Sequence, residues 1–245
     1  MRVNHKGFTL IELVIVIIVL SAIGIATSTY ISTGVSIYTD ISERDKALNS
    51  TRFVMERLRR DMLNALPNSL VVSEANRCLT FTPVLYSSLY SYDLPIFPME
   101  ASTATITNID NYAHTAGNKA VVYLLDSSEL VGDKVHAIDG IAAEQINFSD
   151  DDVSFSLGSP SKRLYIINTS KSYYFHYNNS NERFELVLAD SCNTTGSIMA
   201  NDIEGEFDVA KPTLQRNGLA KVTYMLNFDG QEVPIEQTLH VNNVP

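Results

Sequence analysis

One apolar stretch near the N-terminus constrains this chain more than any other feature. Residues 8–26 carry a single charged side chain, Glu12, and the other residues there are apolar or small. As a helix, which rises about 1.5 Å per residue, the stretch would span about 29 Å. That length matches the roughly 30 Å hydrocarbon core of a bilayer. No later stretch is as apolar over this length, so we expect one membrane-spanning helix at residues 8–26.

Residues 1–7 form a short leader ahead of the apolar stretch. The leader carries Arg2 and Lys6 and ends in Gly7. A secretory signal peptide places its apolar region before the cleavage site, whereas here the glycine stands before the apolar region. The two basic residues favour a cytoplasmic N-terminus, because positive charge tends to stay on that side of a membrane segment.

The order Gly7-Phe8-Thr9-Leu10-Ile11-Glu12, followed by an apolar helix, resembles the signature of type IV pilins. The resemblance implies that a prepilin peptidase cleaves between Gly7 and Phe8 and methylates the new amino group of Phe8. It also implies an assembly role for Glu12, whose carboxylate would pair with the Phe8 ammonium of a neighbouring subunit. The alternative is a carboxylate that reaches the headgroups or stays protonated, because a charge inside the membrane costs free energy.

A helical pattern continues through residues 27–66 and is predicted to end before Pro67, which disfavours helical backbone at Leu66. Apolar or small residues recur there at helical spacing, which places them on one face. They are Ile37, Ile41, Leu48, Thr51, Met55, Leu58, Met62 and Ala65. We expect the chain's own sheet to cover this face. On the polar side Glu56 with Arg60, and Arg57 with Asp61, are spaced for ion pairs, so the basic patch of Arg57, Arg59 and Arg60 is interpreted as a solvated face rather than a partner site.

From Asn68 onward the pattern changes to short β-rich runs separated by turn residues. The predicted strands are residues 69–72, 78–82, 103–107, 120–125, 134–138, 145–148, 153–157, 164–168, 172–177, 183–188, 220–228 and 232–241. The clearest hairpin joins 221–228 to 231–241 through Asp229-Gly230, and a second joins 173–177 to 183–188 through a longer loop. Residues 67–245 are therefore expected to form a mostly antiparallel β-rich domain against the long helix, which is an α+β, type IV pilin-like fold.

Residues 83–118 interrupt this pattern with three prolines, at positions 83, 95 and 98, and with Tyr86, Tyr90 and Tyr92. We interpret the segment as a long surface loop. Its tyrosines either pin the loop to the sheet or bind a partner or a sugar, and the first interpretation is favoured.

The chain has two cysteines, Cys78 and Cys192, and both lie in the part that the pilin resemblance places outside the cytoplasm. An even pair in an oxidising compartment is more often a disulfide than a metal site. A Cys78–Cys192 disulfide is therefore expected, and the alternative is a pair of buried free thiols.

The second resemblance is to a narrower group. The chain length, residues 59–69, Cys78, Cys192 and residues 240–245 are similar to the MshO-type minor pilins of mannose-sensitive haemagglutinin (MSHA) pili. The wider relatives are the minor pseudopilin J of type II secretion and the PilW-type minor pilins. This resemblance implies a low-abundance structural subunit that primes or caps filament assembly.

The implied partners are other pilin and minor pilin subunits, the prepilin peptidase and the inner-membrane assembly platform. The implied location is the inner membrane, with the C-terminal domain in the periplasm, and afterwards the pilus near its tip. Two alternatives stay open: a pseudopilin of a secretion system, and a tip adhesin whose segment 83–118 binds a surface ligand.

Composition and motifs argue against other function classes. The formal net charge of −10 disfavours binding to nucleic acid or to an anionic membrane surface. The sequence contains no G-x-S-x-G, P-loop, H-E-x-x-H or G-x-G-x-x-G motif, so we expect neither an enzyme nor a cofactor. Residues 150–152, three aspartates, lack the alternating ligand pattern of a calcium loop. A solvated acidic turn without metal is the favoured interpretation.

Overall fold

A long N-terminal helix followed by a mostly antiparallel β-domain makes up the fold. The computed structural model describes residues 9–210, 218–228 and 231–241. Helix α1 spans Leu10–Leu63, and all the ladders between the described strands are antiparallel. The α+β fold expected from the sequence is therefore confirmed, and it is consistent with a pilin-like protein. The chain divides into two compact units, residues 1–49 and 50–245.

The strands follow the helix in chain order, with one short 3-10 turn (Ser127–Leu130) between β5 and β6. They are β1 (Val71–Ser73), β2 (Cys78–Phe81), β3 (Val84–Leu89), β4 (Thr103–Thr105), β5 (Lys119–Val122), β6 (Val135–Ala142), β7 (Gln145–Phe148), β8 (Arg163–Ile167), β9 (Lys171–Asn178), β10 (Arg183–Ala189), β11 (Ser197–Asn201), β12 (Ile203–Ala210), β13 (Leu219–Phe228) and β14 (Gln231–His240).

The described strands form three sheets. A five-stranded sheet has the order β1-β2-β9-β10-β11, a three-stranded sheet has the order β12-β13-β14, and a six-stranded sheet has the order β3-β8-β5-β6-β7-β4. The first two sheets meet at Phe175 and Phe207, whose ring centroids are 4.9 Å apart. The backbone amide of Phe207 also donates to the carbonyl of Asn76, 2.7 Å away. The six-stranded sheet has its own apolar core, in which Ile146, Phe155 and Leu164 are fully buried.

Helix α1 ends at Leu63, three residues before the end predicted at Leu66. The following residues pair with the β2–β3 connection instead of extending the helix. The amide of Leu66 donates to the Thr82 carbonyl at 2.8 Å, and the amide of Val84 donates to the Asn64 carbonyl at 3.0 Å. Because these backbone groups already have partners outside the helix, the chain leaves helical geometry before it reaches Pro67.

Both predicted hairpins are confirmed. Strands β13 and β14 pair from Leu219 opposite His240 to Phe228 opposite Gln231, and the predicted turn at 229–230 lies outside the described residues. Strands β9 and β10 pair from Ser172 opposite Ala189 to Asn178 opposite Arg183 at the loop end.

Two predictions within the β-domain were wrong, and three strands were missed. Strands β3, β11 and β12 were not predicted, and residues 153–157 make only isolated bridges, at Val153 and Phe155. The segment 83–118 is not a surface loop, because it contributes β3 and β4 to the six-stranded sheet. It also places Tyr90, Leu94 and Ile106 in that sheet's core.

Candidate assembly surface on the N-terminal helix

The first part of helix α1 presents apolar side chains on all sides. Their exposed fractions run from 40% at Val14 to 82% at Leu10. The exposed set is Leu10, Ile11, Leu13, Val14, Ile15, Val16, Ile17, Ile18, Val19, Leu20, Ile23 and Ile25. Among the described residues, α1 is the one helix long and apolar enough to cross a membrane. A helix that is apolar all round is stable when lipid or other protein surrounds it, so this surface is suited to both environments.

Thr9 caps the N-terminus of this helix. Its carbonyl accepts a hydrogen bond from the amide of Leu13 at 3.3 Å, and its hydroxyl accepts one from the amide of Glu12 at 3.4 Å. Thr9 was not predicted as a cap, although Thr-x-x-Glu before an apolar run is the sequence signature of a capping box. Glu12 lies in the first turn and its side chain is exposed. A carboxylate in the first turn is favoured by the helix dipole.

Five hydroxyl side chains between residues 21 and 39 of helix α1 form hydrogen bonds within the helix. They donate to a backbone carbonyl three or four residues earlier, as Ser21 does to Ile17 at 2.7 Å. The other donors of this kind are Thr27, Thr29, Ser36 and Thr39. Because an unsatisfied donor is costly in an apolar medium, this pairing lets polar residues occupy a helix that faces lipid or neighbouring helices.

The last part of helix α1, within the second unit, is held by the β-domain. The face predicted from residue spacing is buried here, at Thr51, Met55, Leu58 and Met62, with Val54 as an additional, unpredicted member. All five are at most 3% exposed. Ala65 is buried as well, although it lies beyond the helix.

The expectation that the chain's own sheet covers the predicted face was wrong for Ile37 and Ile41. These side chains are 53% and 56% exposed. The large apolar residues Tyr30, Ile31, Val35 and Tyr38 are also exposed in this region. The apolar surface available to a partner therefore extends beyond the stretch that is long enough to cross a membrane.

One side chain on the β-domain forms a specific polar contact with the helix. The phenol of Tyr173 on β9 donates to Oδ2 of Asp61 at 2.6 Å, and the Tyr173 side chain has no exposed surface. Its ring stacks on Phe81 at a centroid distance of 5.9 Å. Burial of the phenol, together with the Asp61 carboxylate, raises the pKa of Tyr173 above its ordinary value of 10.0. Tyr173 was not singled out from the sequence, because its partner is 112 residues away.

The basic patch on the helix takes part in ion pairs within the helix. Arg59 and Arg60 approach Glu56 at 3.5 and 3.3 Å, and Arg57 approaches Asp61 at 4.0 Å. The three arginine side chains are between 50% and 73% exposed. The predicted spacing of these pairs is confirmed, and exposed pairs of this kind contribute a few tenths of a kcal/mol each.

The remaining predicted site residues are distributed along the chain. Gly7 and Phe8 lie outside the described residues. Cys78 on β2 and Cys192, in the β10–β11 connection, are joined by a disulfide with an S–S distance of 2.04 Å. Residues 150–152 lie in an exposed turn. Within the described ranges, no group of three or more His, Cys, Asp or Glu side chains could hold a metal ion.

Comparison with known proteins adds one match. Residues 2–28 match the family model described as the prokaryotic N-terminal methylation motif, which is the signal of type IV pilin-like prepilins. The match covers the leader and the apolar helix and indicates a type IV pilin- or pseudopilin-like protein. It thereby implies processing by a prepilin peptidase, membrane anchoring and contact with other pilins. No curated protein and no solved structure matches the chain.

Proposed function

We propose that this protein is a minor pilin of a type IV pilus of the MSHA type, a structural subunit that primes or caps filament assembly. The observation that carries the proposal is the apolar, exposed first part of α1, which follows a methylation motif and has Glu12 as its one charge before residue 40. The narrower assignment to a minor, MSHA-type subunit is supported by the resemblance of residues 59–69, Cys78, Cys192 and residues 240–245 to that group.

Processing comes first in this proposal. The prepilin peptidase removes residues 1–7 and methylates Phe8, so the apolar helix stays attached to the mature chain. The subunit then sits in the inner membrane with residues 67–245 in the periplasm. Mass spectrometry of the purified protein tests this step: we expect a mature chain that begins with N-methylated Phe8. A mature N-terminus at any other residue would contradict it.

Glu12 then directs the transfer from bilayer to filament. A carboxylate inside a membrane costs up to about 2.5–3.5 kcal/mol on insertion scales, less near a helix end. Pairing with the Phe8 ammonium of a neighbouring subunit offsets that cost, because opposite charges attract strongly where water is scarce. The hydrocarbon part of the bilayer offers no such partner, so the pairing favours the filament over the bilayer and sets the register between neighbouring helices.

The test of this step compares Glu12→Ala with Glu43→Gln, which removes an exposed acid farther along the same helix. We expect Glu12→Ala to lower the protein's content in sheared filaments roughly tenfold or more, since a few kcal/mol of pairing is lost. The membrane-bound amount should be unchanged, and Glu43→Gln should assemble like the wild type. Normal incorporation of Glu12→Ala would remove the assembly role from this residue.

The subunit partners distinguish a pilus from a secretion system. We expect the protein, extracted in detergent, to co-purify with other minor pilin subunits and with the assembly platform of the pilus. Co-purification with secretion pseudopilins instead would identify it as a minor pseudopilin. A minor pilin and a minor pseudopilin would both assemble through the same helix surface. The experiment therefore distinguishes a pilus from a secretion system and does not test the assembly mechanism.

A tip adhesin is the second candidate, and one observation favours it. Tyr92 and Phe97, in the segment for which ligand binding was the less favoured alternative, are 90% and 74% exposed. Deleting residues 83–118 would not test this idea, because Tyr90 and Leu94 lie in the core. The double variant Tyr92→Ser with Phe97→Ser changes the surface alone. Loss of attachment with normal filaments would support adhesion, and normal attachment would contradict it.

A further inference from the structure

A groove lies on one face of the five-stranded sheet, beside the disulfide. Its volume is about 390 Å³, within the size range of ligand sites in proteins. Tyr174, His176 and Asn178 of β9 alternate along the strand and so face the same side. Glu185 of β10 lies directly opposite His176 in the ladder and contributes to the groove lining.

The opposite wall of the groove comes from the connection that the disulfide holds in place. Asn193, Thr194 and Thr195 follow Cys192 directly and line the groove. The phenol of Tyr174 donates to the carbonyl of Thr194 and fixes this wall against the sheet. The groove is therefore formed by two strands, β9 and β10, and by the β10–β11 connection, which the disulfide and a hydrogen bond hold in place.

Glu185 is the unusual residue of this groove. It is an acidic residue, yet it is only 2% exposed. Both of its hydrogen bonds go to the same oxygen: Asn178 donates to Oε1 at 3.1 Å and Asn181 at 2.7 Å. Among the described residues no cation forms an ion pair with it, and Oε2 accepts no hydrogen bond. Oε2 is not among the buried side-chain atoms that lack a partner, so it is accessible from the groove and can accept a hydrogen bond from a bound donor.

The surroundings define what could pair with Glu185. Burial of the Tyr174 phenol raises its pKa, and the nearby Glu185 carboxylate raises it further. Glu185 is the acidic residue of the groove lining, and among the described residues no Lys or Arg lines the groove. Anionic ligands are therefore disfavoured. A metal ion is disfavoured as well, since within the described ranges no three acidic, His or Cys side chains converge. The ring of Tyr174 offers a face that attracts cations, and Asn193 and Thr195 add neutral acceptors.

We propose that this groove is a binding site for a primary ammonium group, with Glu185 Oε2 as its anionic acceptor. An ammonium has three donors and matches one carboxylate oxygen plus neutral acceptors on the wall. Two sources share this chemistry: a lysine side chain of another protein and a free alkyl diamine. The site is separate from helix α1, so it does not depend on the function proposed above.

The experiment is a titration of the full-length chain in detergent micelles, with carbon-13 in its His and Tyr rings. The probes are Nα-acetyl-lysine N-methylamide, 1,4-diaminobutane, the uncharged norleucine analogue and methyl glucoside. We expect saturable shifts at His176 and Tyr174 with both ammonium compounds and none with the two neutral ones. Tighter binding of the lysine compound identifies a protein source, and tighter binding of the diamine a small-molecule source.

Three variants complete the test. Glu185→Gln should weaken ammonium binding roughly tenfold or more, because a hydrogen bond to a charged group is lost. Glu144→Gln, which removes an exposed acid in the β6–β7 turn, should bind like the wild type. Asn193→Asp adds a carboxylate to the wall and should tighten binding, a gain that a folding defect could not produce. Absence of ammonium binding, equal binding of the norleucine analogue or of methyl glucoside, or unchanged binding in Glu185→Gln overturns the proposal.

Discussion

The hydrogen bond from Tyr173 to Asp61 ties β9 to the last part of helix α1, and its removal is the sharpest test of that packing. Tyr173→Phe deletes one oxygen and leaves the ring that stacks on Phe81 in place. The Asp61 carboxylate then loses its buried donor at 2.6 Å. Because no apolar surface is removed, the change in the free energy of unfolding reports the hydrogen bond rather than a cavity.

The expected magnitude follows from the exposure of the acceptor. A hydrogen bond to a charged group contributes about 1.5–3 kcal/mol. The Asp61 side chain is 30% exposed and can recover water in the variant. We therefore expect Tyr173→Phe to lower the free energy of unfolding by about 1.5–2 kcal/mol, at the low end of that range.

The measurement is urea unfolding of the detergent-solubilised chain with its disulfide intact, followed by near-ultraviolet circular dichroism. Tyr177→Phe is the matched control, because Tyr177 projects from the same side of β9 and is 40% exposed. It should cost less than about 0.5 kcal/mol, as surface substitutions do. Equal losses in the two variants would show that the Tyr173–Asp61 bond does not hold the helix.

The pH dependence of stability gives an independent check on the same bond. Burial and Asp61 raise the pKa of Tyr173 above its ordinary value of 10.0. The stabilisation is therefore complete below pH 10 and is lost as the pH rises further, since the unfolded chain releases the proton first. Above pH 10 the wild type should lose about 1.4 kcal/mol more per pH unit than Tyr173→Phe. Parallel curves for the two proteins would contradict the assigned contact.

Two further substitutions test the packing of the β-domain by the same unfolding assay. Leu58→Ala removes a fully buried helix side chain and should lower the free energy of unfolding by about 2–5 kcal/mol. Phe53→Ala, at a 65% exposed position on the same helix, should lower it little. Similar losses in the two variants would mean that the buried face is assigned wrongly. Gly205→Ala would bring a Cβ to 2.6 Å from both the Phe175 ring and the Thr223 carbonyl and should cost about 1–3 kcal/mol. Gly140→Ala, with open space around it, should be neutral or slightly stabilising, and the same cost at both glycines would refute close packing at Gly205.

Local patterns were enough to predict the helix and the hairpins. The helix follows from an uninterrupted apolar and then amphipathic run, and Asp229-Gly230 between two β-rich runs predicts the β13–β14 pairing. In both cases the interacting residues are close in sequence, so a local sequence pattern is enough to predict which residues interact. The same reasoning predicted the Glu56–Arg60 spacing on α1, which is a contact within one turn of the helix.

The missed elements have different physical causes. Strand β12 does alternate, with Ile203 and Phe207 buried and Glu206 and Asp208 exposed. It was missed because acidic residues are uncommon in strands, so the segment did not match the composition expected of a strand. Strand β3 lies at a sheet edge between prolines, so its side chains are only partly buried and its pattern is weak.

The Tyr173–Asp61 bond and the groove around Glu185 could not be predicted for another reason. They join residues that the sheet register brings together, and the register follows from packing of the whole domain. The methylation motif is the opposite case, because its residues are contiguous and the motif can be identified from the sequence without knowledge of the fold. The sequence therefore predicts the candidate assembly helix well and the surfaces of the β-domain poorly.

Apolar side chains of helix α1 are buried by the β-domain in its last part and exposed in its first part. This difference makes the proposed transfer from bilayer to filament physically possible. Leu58 and Met62 are buried by the chain's own β-domain, so their contribution to stability does not depend on lipid or on a neighbour. Ile37 and Ile41 remain exposed, as do the apolar residues of the first part. Exchanging lipid for neighbouring helices around that first part therefore leaves the core of residues 50–245 intact. In the proposed transfer, the free energy then depends on the exposed apolar surface and on the proposed pairing of Glu12, and the β-domain does not have to unfold.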